Sequence, residues 1–267
     1  MNRPAVVLFG LPFDAKSSHA RGPRLAPEVI RATLHSGSSN WFCECGTDLS
    51  ATDNWTDIGD LPLSEDWDAT FDAAYLQAQQ VLNAQQKFLA LGGDHSLSFP
   101  LLKAVGERHA RMTIVHLDAH PDLYDEFEGD RFSHACPFAR AMEIIPEARL
   151  IQIGIRTATA HQRDQMQRIG VECYEASRWQ LESLPAITGP IYLSLDMDVL
   201  DPAFAPGVSH LEPGGLSTRD VLSIIQRLKG QLVSADLVEF NPSRDHSGIT
   251  AAAAAKFTRE LLAALLT

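Results

Sequence analysis

The stretch Met112-Thr113-Ile114-Val115-His116-Leu117-Asp118-Ala119-His120-Pro121-Asp122 runs a largely apolar segment directly into two carboxylates and an imidazole. An apolar run of that length without strict alternation reads as a strand buried on both faces, the pattern of a parallel sheet covered by helices. Residues just past the carboxyl end of such a strand form the crevice where ligands bind. Two other segments repeat the arrangement: Gly92-Gly93-Asp94-His95-Ser96 follows Phe88–Leu91, and Asp196-Met197-Asp198 follows Pro190–Leu195. A lone Asp-x-His or Asp-x-Asp is ordinarily a turn or a helix cap, and a lone Gly-Gly-Asp a tight turn. Three clusters at the ends of buried strands are different, because crowded unpaired carboxylates are costly unless cations neutralise them. Pooled, His95, Asp118, His120, Asp122, Asp196 and Asp198 form an oxygen-rich set with two imidazoles, suited to two divalent metals sharing bridging carboxylates.

Outward from these clusters, apolar runs between turn signals predict strands over Ala5–Phe9, Trp55–Ile58, Phe88–Leu91, Met112–Leu117, Leu150–Ile155, Val171–Tyr174, Ile191–Leu195 and Leu232–Val238. Helical patterns lie between them at Pro27–His35, Trp67–Gln86, Leu97–His109, Phe132–Glu143, Ala158–Ile169, Ser217–Leu228 and Ile249–Leu266. This alternation implies right-handed crossovers. The expected fold is three-layer α/β, a single mainly parallel sheet of about eight strands with helices on both faces, with residues 1–267 forming one domain. Residues 35–54 show no clear period and read as surface loop.

The chain has 267 residues, 45% of them hydrophobic and 21% charged, values ordinary for a globular protein. Its formal charge is −12, from 34 acidic and 22 basic residues with no basic block, which argues against nucleic acid and suits a small cationic substrate. The apolar stretch Ala5–Phe13 is too short to span a membrane and lacks a signal-peptide cleavage pattern. Four cysteines, Cys43, Cys45, Cys136 and Cys173, without zinc-finger spacing, point to reduced thiols and a cytoplasmic location.

Gly92-Gly-Asp-His-Ser96, Asp118-Ala-His-Pro-Asp122 and Ser194-Leu-Asp-Met-Asp-Val-Leu-Asp-Pro202 resemble the three motifs of the ureohydrolase family, which contains arginases, agmatinases and related guanidino-compound hydrolases. The resemblance extends to Gly10-Leu-Pro-Phe-Asp14, Ser133-His-Ala135, Gly154-Ile-Arg156, Glu212-Pro-Gly-Gly215 and Val238-Glu-Phe-Asn-Pro242, and within the family leans toward plant-type arginases and agmatinases. It implies an arginase-like fold and one metal held by His95, Asp118, Asp122 and Asp196. The other would be held by His120, Asp118, Asp196 and Asp198, with Asp118 and Asp196 bridging. Mn²⁺ is the implied ion, and mixed carboxylate and imidazole ligation without thiolate suits it. By the same resemblance, a small guanidino substrate such as agmatine or arginine is cleaved to urea and putrescine or ornithine. Glu239 would hold the guanidinium, His134 would shuttle protons, Asp198 would help stabilise the intermediate, and the chain would assemble as a homo-oligomer, a trimer or hexamer.

Other readings stay open. The guanidino substrate could be guanidinobutyrate or guanidine, or the scaffold could be non-catalytic. A metal-dependent phosphatase would need a cation near the strand ends, where Arg156 is the main candidate. His109, His116 and His161 read as structural, His210 as a residue of the site's mouth, and Asp94 and Asp201 as supports beside the ligands. The loop after Asp122 carries Asp125, Glu126, Glu128 and Asp130, which would favour the distal ammonium of agmatine over a carboxylate.

Overall fold

The computed structural model describes residues 5–267. Its eight strands are β1 (Val6–Gly10), β2 (Trp55–Asp60), β3 (Lys87–Leu91), β4 (Thr113–Leu117), β5 (Arg149–Ile155), β6 (Glu172–Glu175), β7 (Ile191–Asp196) and β8 (Leu232–Val238). They form one sheet in the order β2-β1-β3-β8-β7-β4-β5-β6, and every pairing is parallel. The helices are α1 (Ala26–Leu34), α2 (Trp67–Asn83), α3 (Ser98–Gly106), α4 (Pro137–Ile144), α5 (Ala160–Ile169), α6 (Thr218–Leu228) and α7 (Ile249–Leu265). One apolar core joins the sheet to α1, α6 and α7, and a second joins its other face to α2, α3, α4 and α5. The three-layer α/β expectation therefore holds, and each expected strand is present with its ends moved by at most two residues.

The strand order positions the site. From β3 the chain leaps past two strand positions to β4, continues outward to β5 and β6, then returns to fill the gap with β7 and β8. The carboxyl ends of β3, β8, β7 and β4 thus lie side by side where the connections diverge, the topological switch at which open α/β sheets bind ligands. The expected clusters follow three of these strands, and Glu239 follows the fourth.

Several expected helix boundaries shift; α2 and α3 each end three residues early, at Asn83 and Gly106. Helix α4 starts at Pro137, not Phe132, because Pro137 at the first helical position tolerates its missing N–H, while residues 131–136 turn back on themselves. His134 consequently sits in a turn before the helix. Within residues 35–54 there is a short 3-10 turn, Leu49–Ala51, and a bridge between Phe42 and Asp48. Glu44 N–H donates to Glu260 Oε1 at 2.9 Å, tying this segment to α7.

A glycine pair such as Gly92-Gly93 is expected to ease a sharp exit from β3. Neither residue has a positive φ; what they supply is room. A Cβ on Gly93 would lie 1.7 Å from the Phe13 carbonyl oxygen, which accepts the Asp94 N–H, and Gly93 O accepts the Glu239 N–H at 2.8 Å. The β1, β3 and β8 exits meet at this residue. We predict that Gly93→Ala destabilises the fold by about 1–3 kcal/mol or prevents folding, since the obstacle is backbone and cannot rotate away. Chemical denaturation measures this, and an unchanged midpoint would contradict it.

Candidate metal centre and substrate cavity

Local devices position several of the expected ligands. After β3, the Asp94 carboxylate accepts the Ser96 N–H at 3.1 Å and the Lys16 N–H at 2.9 Å, capping the short turn that carries His95. Burial, with the nearby Glu239 charge, pushes Asp94 up to about 7. After β7, the Asp196 carboxylate accepts the Asp198 N–H at 2.7 Å and starts the turn Met197–Val199. After β4, Asp122 is held at φ 51°, a left-handed conformation that costs an L-residue of order 1–3 kcal/mol, and Glu239 after β8 has φ 62°.

The six side chains converge. His95 Nδ1 lies 3.2 Å from Asp118 Oδ2 and 3.1 Å from both Asp122 Oδ2 and Asp196 Oδ2. His120 Nδ1 lies 3.3 Å from Asp118 Oδ1 and 3.1 Å from Asp198 Oδ2. Asp118 therefore presents one oxygen to each imidazole, the arrangement a bridging carboxylate needs. All four carboxylates are buried. Burial first, then the Asp198 and Asp118 charges, push Asp196 well above the usual carboxylate range, which is the cost of crowding like charges without a counter-ion.

The donor set fits a cation on one further observation. His95 Nδ1 is buried and makes no hydrogen bond, although three carboxylate oxygens surround it, while its Nε2 faces Ser194 Oγ at 3.0 Å. Ser194 donates on to Asp236 Oδ1 at 2.6 Å, and Tyr192 donates to Asp236 Oδ2 at 2.5 Å. This buried relay orients the ring so that the Nδ1 lone pair meets the carboxylates.

His116, read as structural, stands beside the cluster. Its Nδ1 lies 3.0 Å from Gln152 Nε2 and accepts from it, so Nε2–H donates to Asp118 Oδ2 at 2.7 Å. Its ring stacks on Phe138 with centroids 3.8 Å apart. With both nitrogens engaged it is a holder of Asp118. Strand register was the available signal, because residues 116 and 118 project to one side of β4.

Glu239 Oε1 accepts the His95 N–H at 2.9 Å and faces His134 Nδ1 at 3.0 Å, while Oε2 has no partner among the described residues. Burial opposes the charge on His134, but Glu239 outweighs it and holds the imidazole up to about 9. His134 Nε2 lies 2.8 Å from Ser18 Oγ. His210 stacks on His134 at 5.4 Å and meets His120 edge-on at 5.7 Å. Together with Asp196, Asp198 and Glu239 these rings line a cavity of about 160 Å³, the size of a small solute.

Two expectations are corrected. Arg156 cannot serve a phosphate: its guanidinium donates to the carbonyls of Asp198 at 2.6 Å, Glu212 at 2.8 Å, Gly154, Leu200 and Val199, pinning the loop that carries Asp198. The acids of the 123–134 loop do not line the cavity. Asp130 pairs with Lys16 at 2.6 Å, and Asp125 faces Arg140, His161 and Arg168. The loop turns Tyr124 and Phe127 inward and its charges outward, so the electrostatic argument for agmatine loses its basis. Asp201, as expected of a support, fixes a loop by accepting the Gly214 and Gly215 N–H groups.

The model of the Arginase family matches residues 4–264. This chain belongs to the arginase family. It is 46% identical to mitochondrial arginase 1 of Oryza sativa subsp. indica over 98% of this chain and 82% of that one. It is 33% identical to an agmatinase of Bacillus cereus over 96% of this chain and 90% of that one. Among solved structures, the arginase from Medicago truncatula superposes with a TM-score of 0.88 at 41% identity, covering 98% of this chain and 87% of that one. The agmatine ureohydrolase of Thermoplasma volcanium superposes at 0.90 and 32% identity, covering 98% and 90%.

Because His116 holds Asp118 through one N–H, we expect His116→Phe, which keeps the stack on Phe138, to weaken divalent-cation binding by about tenfold to hundredfold. Titration of the metal-free protein against a competing chelator measures it; an unchanged dissociation constant would show that His116 only packs.

Proposed function

We propose that the chain hydrolyses a small guanidino compound to urea and an amine at two divalent cations. His95, Asp118, Asp122 and Asp196 would hold one ion, and His120, Asp118, Asp196 and Asp198 the other. The observation that carries this reading is the orphaned His95 Nδ1 among three carboxylates, two of which, Asp122 and Asp196, line a cavity that also offers the free Oε2 of Glu239. When bound, the cations supply Lewis acidity and a nucleophilic water near neutral pH. Glu239 orients the planar guanidinium through a charge-assisted contact and presents its carbon to that water. Asp198 supports the charge that develops, and His134, protonated between Glu239 and Ser18, supplies a proton to the departing amine. Mn²⁺ is our preferred ion, supported by the hard oxygen-rich set with imidazole and no thiolate.

The non-catalytic alternative is disfavoured by the complete donor set and the cavity beside it. One domain over residues 1–267 is supported by the single sheet and the span of the family match. A trimer or hexamer is part of the reading on family resemblance alone. The cysteines Cys43, Cys45, Cys136 and Cys173 are free, which supports a reducing compartment such as the cytoplasm, whereas the rice relative's name places that protein in mitochondria. Among the described residues no helix is long and apolar enough to cross a membrane.

Urea release from arginine, agmatine, 4-guanidinobutyrate and guanidine with added Mn²⁺ tests the reaction. Asp118→Ala and Asp196→Ala should each lose both cations and turnover together, because each carboxylate serves both sites; full activity of a demonstrably metal-free preparation would sink the idea. Glu239→Gln should keep the cations yet lower kcat/KM about tenfold to hundredfold, the worth of a charged hydrogen bond. An unchanged kcat/KM in that variant would place guanidinium recognition elsewhere.

A further inference from the structure

Part of the cavity wall has no role in the chemistry above. It is built by the segment that follows β5: Thr157, whose N–H lies against the Ala119 carbonyl, then Thr159 and Gln162 at the start of α5. Gln162 is only 3% exposed. Its Oε1 accepts the Thr159 N–H at 3.1 Å, and its own N–H donates back to Thr159 Oγ1 at 3.3 Å, a reciprocal capping box. That contact fixes which end of the amide is oxygen. The Nε2 group, with two hydrogens to donate, has no partner among the described residues, on a side chain that lines the cavity. The residue is otherwise buried and this group opens on the cavity, so its two hydrogens are available to an acceptor on a bound molecule.

The helix end that carries this donor is positive. The first turn of α5 carries no acidic side chain, so the positive end of a ten-residue helix is uncompensated there. Thr157 and Tyr124 add hydroxyls. Apart from the metal cluster and Glu239, no Asp, Glu, Lys or Arg lines the cavity. An ammonium tail would find no carboxylate on this wall and would face the helix's positive end, whereas a carboxylate tail would find the amide N–H groups, the hydroxyls and the helix terminus together.

We propose that this wall is a carboxylate subsite, with Gln162 as its specificity-determining residue, and that the substrate is a guanidino acid rather than a guanidino amine. The proposal rests on the guanidino-hydrolase reading and adds the chemistry of the substrate's far end. It reverses the preference for agmatine drawn from the acidic loop, whose charges point elsewhere.

The test measures kcat and KM of the Mn²⁺-loaded protein for 4-guanidinobutyrate, L-arginine and agmatine, together with the thermal shift each compound produces. Gln162→Glu is the informative variant, because a glutamate retains the acceptor of the capping box and replaces only the donor. The wild type should favour both carboxylate-bearing compounds by about tenfold or more in kcat/KM, chiefly through KM. Gln162→Glu should erase or invert that ratio at an unchanged unfolding temperature, and Gln162→Leu should reduce it. A wild-type preference for agmatine, or a ratio that Gln162→Glu leaves unmoved, would overturn the subsite. If no compound yields urea, the hydrolase reading fails on its own, while the ligand-induced thermal shifts of wild type and variant still decide whether the wall takes a carboxylate.

Discussion

Mutual repulsion among Asp118, Asp122, Asp196 and Asp198, all buried at the ends of β4 and β7, is the constraint around which the molecule is organised. Two imidazoles are too few to neutralise four carboxylates, and the one best placed to try, His95, turns an unbonded nitrogen toward three of them. In water such groups would separate. Here they are attached to adjacent parallel strands whose register forbids it, so the sheet holds an electrostatic demand that two divalent cations would satisfy charge for charge.

That demand explains how much of the surrounding structure is given to holding ligands still. Asp118 is gripped by His116, itself set by Gln152, which also binds the Pro121 carbonyl at 2.6 Å. His95 is set by the Ser194–Asp236–Tyr192 relay, and the Asp198 loop by the Arg156 guanidinium. Positive φ at Asp122 and Glu239 is the backbone counterpart, strain kept where a carboxylate must be aimed. Arg156 shows why a cation near a site is not evidence of an anionic substrate until its partners are counted.

The strands and the six convergent residues were legible because a buried parallel strand writes itself as an unbroken apolar run, and because crevice residues follow such runs directly. The turn before α4 was less legible: Phe132–Cys136 has acceptable helical spacing, and only Pro137 marks where the helix can begin. Side-chain direction was least legible. Nothing local distinguishes Asp125, which faces Arg140, His161 and Arg168, from Asp122, which faces His95; the difference lies in how a long loop closes against α4 and α5. Gln162 shows the same limit: Thr159-x-x-Gln162 is a local capping-box spacing, but the place of Gln162 on the cavity wall depends on where the start of α5 meets the ends of β4 and β5.

The central claim is that two cations share Asp118 and Asp196. Anomalous X-ray diffraction from crystals of the Mn²⁺-loaded protein, collected at the manganese edge, tests it without reference to turnover. The account predicts two anomalous peaks, one coordinated by His95 and the other by His120, each within bonding distance of both Asp118 and Asp196. A single peak, or peaks bound by other residues while this cluster carries none, would contradict it.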